Sequence, residues 1–440
     1  MAEKKKMSVT QLTIVTAVNM MGSGIIMLPT NLAQVGTMSI LSWVITTIGA
    51  VLLAFTFARA GLYSSKGGGM GGYAEYSFGK AGAFLTNYTY GLSLVIANAA
   101  IAISAVGYTA VLFDTHISPL ATALWTIAVL WIATILNFGG ASITGKISSF
   151  TVWGVILPVV FVSTVGWFYF SGNSFVSSWN PHHYHFFEGM SKSISITLWA
   201  FLGLESAAAN SDAVDNPKKN VPIAVMGGTI GAAIMYIIST NVVLGISPIK
   251  ELAKSSAPFG LAFSEMFNPT IGKIVIALMI ISCFGSLIGW QFTIAEVFRT
   301  SAVEKYFPKV FAKTIGNGTP LIGMIIITIL QTLISLMTIS PSLSKQFTIL
   351  VNLAVVTNAV PYVLTAASIK TMQLESPNVS HKGMKWTNIV GLIAGIYTLY
   401  AIYSSGGIAV YYGAIVTFAG WLLYGLISHK FDITQKERID

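Results

Sequence analysis

The sequence predicts an all-α polytopic membrane protein with twelve transmembrane helices: two inverted sets of five, followed by two more. Three observations carry this reading. The 440 residues are 54% apolar and only 9% charged, with a mean hydropathy of +0.74, whereas a soluble domain carries about a quarter charged residues. The chain divides into twelve mostly apolar runs, each near the ~20 residues that cross a bilayer. The first and sixth runs are both interrupted by glycine near the middle, the pattern of a repeat whose ligand site lies at mid-depth.

The runs cover 10–34, 38–62, 82–112, 118–139, 148–171, 192–211, 221–246, 273–298, 321–338, 347–369, 386–404 and 408–428. They are long and apolar on most faces. Helices satisfy their own backbone groups in lipid, and a β-barrel would instead show short alternating segments. The first repeat occupies 10–171 and the second 192–369; helices 11 and 12 occupy 386–428, and 1–9 and 429–440 are cytoplasmic tails. The opening MAEKKKMSVTQLTIVT has a positive region before an apolar run, but no small-residue cleavage site follows. An uncleaved first span is therefore expected.

Orientation follows from the basic residues. With the N-terminus inside, 19 of the 24 Lys and Arg residues fall on the cytoplasmic side, and only Lys192, Lys250, Lys254, Lys273 and Lys345 fall outside. That split obeys the positive-inside rule and places both termini in the cytoplasm. The net charge of +9 does not indicate nucleic acid, because the basic residues sit between apolar segments rather than in a stripe with interleaved aromatics. The single cysteine, Cys283, lies in an apolar run and reads as a small core residue.

The loops offer little chemistry. His182, His183 and His185 share an outer loop and read as a solvated cluster, with a metal site as the lesser alternative. Residues 67–72, GGGMGG, follow no strand and lack a Gly-Lys-Ser/Thr ending, so they form a flexible or tightly packed cytoplasmic loop and not a phosphate loop. No catalytic constellation and no nucleotide-binding domain are present, so neither an enzyme nor a cofactor is expected.

Candidate function lies inside the spans. In span 1, Gly22-Ser23-Gly24 weakens the helix near mid-depth. Free backbone groups survive there only if buried in protein or lining a cavity, and a half-helix starting at the break aims N–H groups at a carboxylate. The alternative is a small-residue packing face. In span 6, Glu205 is a carboxylate at a depth where charge costs about 3 kcal/mol or more. It faces a cavity, pairs with a cation or is protonated, and a structural ion pair is the competing reading. Trp199 in span 6, Trp290 in span 8, and Tyr90 and Asn98 in span 3 could close a site around it. Each tryptophan alone is more often an interfacial anchor, but one carboxylate with aromatic faces describes a cation site.

These residues sit in segments that resemble the bacterial basic amino acid/polyamine antiporters of the amino acid–polyamine–organocation superfamily. The telling segments are VNMMGSGIIMLPTNLAQVGT at 18–37, GGMGGYAEYSFGKAG at 68–82, SWNPHHYHFF at 178–187, LWAFLGLESAAAN at 198–210 and IGWQFTIAEVF at 288–298. The resemblance covers essentially the whole chain. It implies a leucine-transporter-type fold in the bacterial inner membrane, and exchange of putrescine for ornithine with proton-coupled putrescine uptake as a second mode. It also implies that Gly22, Ser23 and Gly24 hold the carboxylate and α-amine, that Trp199, Glu205, Trp290 and Asn98 line the substrate site, and that Glu75 and Tyr90 are associated with transport. Asp432 and Ala60 depart from the glutamate and cysteine of a close family member, which leaves the roles of those two positions open. Protons, the bilayer and a second copy in a homodimer are the implied partners. Alternatives are lysine–cadaverine or arginine–agmatine exchange and proton-coupled amino acid symport. A passive cation channel is a different class, but no filter-like segment is present.

Overall fold

The computed structural model describes residues 8–205, 216–316, 318–340, 342–376 and 383–430. The described residues form helices joined by turns and loops, with no strand among them. Span 1 is split into α1 (Val9–Met21) and α2 (Leu28–Ala33), and α3 (Ile40–Tyr63) follows. Then come α4 (Met70–Leu112), α5 (Pro119–Leu136), α6 (Ala141–Thr151) and α7 (Trp153–Val165). The outer segment carries α8 (Gly172–Ser177) and α9 (Phe186–Ser191), and α10 (Ile194–Trp199) begins span 6. The second half continues with α11 (Pro217–Ile246), α12 (Ile249–Leu252), α13 (Pro258–Met266), α14 (Pro269–Val303), α15 (Leu321–Met337) and α16 (Leu343–Glu375). Finally come α17 (Met384–Ser404) and α18 (Gly407–Ile427).

Among the described residues, nine helices are long and apolar enough to cross a membrane, and Val9–Val18 and Leu321–Met337 are shorter apolar helices. All twelve predicted runs fall on helical elements. The end of span 6 at 206–211 and the tail position Asp432 lie outside the described residues.

Several boundaries differ from the sequence reading, among them those of spans 3, 5, 8 and 10, the last running over Leu343–Glu375 rather than 347–369. Span 3 does not begin at 82: α4 starts at Met70, and Gly79 (φ 62°, ψ −165°) bends it. A positive φ strains any residue with a Cβ, so glycine permits the bend. Only Gly67–Gly69 of the glycine-rich stretch form a loop, and Gly71 and Gly72 are buried in the first turn of α4. Span 8 extends well past 298, to Val303, and span 5 begins as α6 at Ala141. In both cases polar residues at the helix end continue the hydrogen-bond ladder beyond the apolar stretch that sequence can detect.

Packing shows a regular relation between the halves. α3 packs on α11, α4 on α14, and α5 on α15, each pairing a span with the one five further on. α1 packs on α11 while α10 packs on α3; α4 packs on α16 while α14 packs on α6 and α7. Each of these contacts thus has a counterpart when the two halves are exchanged. α17 and α18 lie at the periphery, on α3, α16 and α4. α18 buries little beyond Ala409, Gly413, Gly420 and Tyr424. Its glycines press against Val356 and Tyr88, a small-residue contact of the kind that joins helices where no hydrophobic force acts between them.

Both breaks fall where the glycines are. α1 stops at Met21, and Ser23–Ile25 form a single tight turn before α2. α10 stops at Trp199, and turns lead through Gly203 (φ 104°) to Glu205. Carbonyls freed by a broken helix need partners away from water. Tyr108 Oη on α4 donates to Ile26 O at 3.0 Å, and Tyr236 Oη on α11 donates to Ala200 O at 2.9 Å. One buried tyrosine thus repairs each break. Tyr236 is itself held by Trp43 (ring centroids 5.6 Å) and Phe201 (5.5 Å).

Candidate functional site

The carboxylate of Glu205 is 6% exposed. Tyr90 Oη donates to Oε1 at 2.9 Å, Tyr362 Oη donates to Oε2 at 2.7 Å, and Gly203 N donates to Oε2 at 3.2 Å. None of the ion pairs among the described residues involves Glu205. Among the described residues the carboxylate is therefore held by two phenols and a backbone amide and by no cation. Three donors to a buried carboxylate keep it oriented while leaving its net charge uncompensated.

Two spaces adjoin one another here, and Glu205 lines the larger. A small cavity of about 40 Å³ is lined by residues that include Gly22, Gly24, Asn98, Trp199 and Trp290. A larger one of about 760 Å³ is lined by Tyr90, Glu205, Ser282, Ser286, Gly22 and Trp290, and reaches Gly68, Gly69 and Ser301 at the far end of α14. Gly22 and Trp290 border both, so the backbone of the span 1 break and one indole stand between the two spaces. The missing side chain at Gly24 matters here: a Cβ would sit 3.9 Å from Trp199 Nε1 and from Ala200 Cα. The two broken helices approach each other at this point. Trp199 meets Phe347 edge-on at 6.2 Å, and its Nε1 has no hydrogen-bond partner among the described residues.

The structure thus brings together Gly22, Gly24, Asn98, Trp199 and Trp290 around the small cavity, and Tyr90 and Glu205 beside the large one. The backbone of Ser23 lies in the turn between α1 and α2. Glu75 is elsewhere. It forms an ion pair with Lys66 at 3.3 Å and accepts a hydrogen bond from Tyr306. Burial, and then the bond to Glu75, push the Tyr306 phenol well above its ordinary pKa, so it remains a donor. Glu75 therefore ties α4 to the segment after α14 and lines neither space. Among the described residues no three His, Cys, Asp or Glu side chains converge in the manner of a metal site.

Sequence reasoning missed Tyr362, because a tyrosine in span 10 carries no mark of its distant partner. It also missed Gln291, whose signal was present: a glutamine inside a span needs partners as Glu205 does. Gln291 is fully buried and accepts from Asn98 Nδ2 at 2.7 Å.

Long apolar helices, two of them discontinuous, around a buried carboxylate and an indole-lined space are the features of a multi-pass membrane permease. Residues 7–427 match the family model described as amino acid permease, and the chain belongs to that family. It is 62% identical over 432 residues to "Putrescine transporter PotE" of Haemophilus influenzae, covering 98% of this chain and 99% of that one. It is 59% identical over 435 residues to the Escherichia coli K12 protein of the same name, covering 99% of each. The "Cadaverine/lysine antiporter" of Escherichia coli K12 is 33% identical over 401 residues, 90% of this chain and 88% of that protein.

Proposed function

We propose that this permease exchanges putrescine for ornithine across the bacterial inner membrane, with both termini in the cytoplasm. The observation that carries the reading is the Glu205 carboxylate, oriented by Tyr90 and Tyr362 and free of any cation among the described residues. An ammonium is the partner its charge lacks. The faces of Trp199 and Trp290 suit the alkyl chain and the second cationic end, and an ammonium over an indole gains about 0.5–2 kcal/mol. The backbone amides of the break at Gly22–Gly24 suit the carboxylate that ornithine has and putrescine lacks. Asn98, which lines the small cavity, supplies a neutral acceptor. The proteins named putrescine transporters, at 62% and 59% identity, favour putrescine as the diamine over cadaverine, whose antiporter with lysine is 33% identical.

The mirrored packing supports a division into repeats at 10–171 and 192–369, with 386–428 appended and tails at 1–9 and 429–440. In this scheme the two halves rock about the fixed site. Counterflow in reconstituted vesicles tests the function. Labelled putrescine should enter vesicles loaded with ornithine or putrescine and not empty ones. Uptake that ignores the internal amino acid would point to a channel or a proton-coupled importer, and preference for cadaverine and lysine would move the substrate pair.

A further inference from the structure

Behind Asn98 lies a buried amide cluster that the substrate site does not explain. Asn98 Nδ2 donates to Gln291 Oε1 at 2.7 Å, and Gln331 Nε2 donates to the same oxygen at 2.9 Å. Gln291 Nε2 donates to Thr134 Oγ1 at 3.0 Å and to Thr328 Oγ1 at 2.8 Å. The side chains come from four helices, α4, α5, α14 and α15, and all five residues are essentially inaccessible. Asn98 Oδ1 has no hydrogen-bond partner among the described residues, and Asn98 lines the small cavity.

The cluster has a direction. An amide presents an acceptor on one side and two donors on the other, and only its partners decide which way it points. A threonine hydroxyl in a helix has one proton and readily gives it to the carbonyl one turn back. Thr134 Oγ1 does so to Leu130 O at 2.9 Å, and Thr328 Oγ1 to Met324 O at 2.8 Å. The two hydroxyls also lie 2.7 Å apart, where either can be the donor; with each proton given to a carbonyl or to the other hydroxyl, both still offer lone pairs to Gln291, which turns its NH₂ toward them. Its oxygen is then left for Asn98, which must answer with its own NH₂. The oxygen of Asn98 is what remains for the cavity. In the flipped state Asn98 would present a donor, which repels an ammonium.

We propose that Thr134, Thr328 and Gln291 are positioning residues that fix the amide of Asn98 with its oxygen toward the cavity, as the acceptor for a substrate ammonium. The inference rests on Asn98 being part of the substrate site, as proposed above.

The test is a crossed pair of double variants of the full-length protein, read by binding of radiolabelled putrescine in detergent. Thr134→Val with Thr328→Val keeps the shape and removes the hydroxyls; Thr134→Ser with Thr328→Ser removes two methyl groups and keeps the hydroxyls. The valine pair is expected to weaken binding about tenfold, the scale of one misplaced buried hydrogen bond, and the serine pair to stay within about twofold. Wild-type affinity in the valine pair, or equal losses in both pairs, overturns the relay. Should the valine pair melt below the working temperature, Gln291→Met carries the same test with the same expected loss. Asn98→Ala separates the two levels of the argument. If it weakens binding while the valine pair does not, the relay fails alone; if it binds like wild type, the acceptor role of Asn98 fails and the relay with it.

Discussion

Replacing Glu205 by glutamine keeps the shape of the side chain and removes its charge. The hydrogen-bond geometry allows the exchange. The amide oxygen can still accept from one of Tyr90 and Tyr362, now at 2.9 and 2.7 Å, and the other hydroxyl can turn to accept from the new NH₂. Each of those bonds falls from the charge-assisted to the neutral range, a loss of about 1 kcal/mol. The larger loss is to the substrate. An ammonium about 4 Å from a carboxylate at an effective dielectric constant near 20 gains about 4 kcal/mol, which corresponds to roughly 1000-fold in affinity. Glu205→Gln should therefore lower putrescine and ornithine affinity by about 100- to 1000-fold, while the protein still inserts and melts cooperatively. The assay is labelled-putrescine counterflow in vesicles, with thermal melting in detergent as the control. Transport within about threefold of wild type, in a variant of normal stability, would refute the assignment of Glu205 as the ammonium's partner.

Three further outcomes are expected. Tyr362→Phe keeps the ring, which packs edge-on against Phe57 at 5.0 Å, and removes one of the two phenol donors, so putrescine binding should weaken about tenfold; unchanged affinity would mean that Tyr90 and Gly203 suffice to orient the carboxylate. His183, exposed in the turn between α8 and α9, should react as cysteine with an impermeant thiol reagent from outside the cell once the buried Cys283 is replaced by alanine, and labelling only from the cytoplasm would invert the topology. Ornithine at net +1 and putrescine at +2 exchange with movement of one charge unless a proton compensates, and one charge across 100 mV corresponds to about 2.3 kcal/mol. Putrescine efflux against ornithine should then slow at an inside-negative potential set with potassium, and indifference to that potential would show that a proton travels with the cycle.

Much of this architecture could be read before any coordinates, for identifiable reasons. A bilayer forces long apolar runs and leaves few places for charge, so twelve runs, two glycine breaks and one conspicuous acid were visible in the order of residues alone. Gly22, Gly24, Asn98, Trp199, Glu205 and Trp290 stood out because each is unusual for its depth or its type, and the structure gathers them around adjoining spaces. What composition could not convey is partnership across helices. Glu75 looks like Glu205 in a string of letters, yet Lys66 and Tyr306 occupy it, while among the described residues Glu205 meets only neutral donors. Tyr108 and Tyr236 repair the broken backbones from sequence distances of 82 and 36 residues, and Tyr362 reaches Glu205 across 157. Hydrophobicity is a property of each residue and survives in one dimension. A hydrogen bond is a property of two residues and of the angle between them, so which acid is free, and which way an amide points, was decided only when the helices packed.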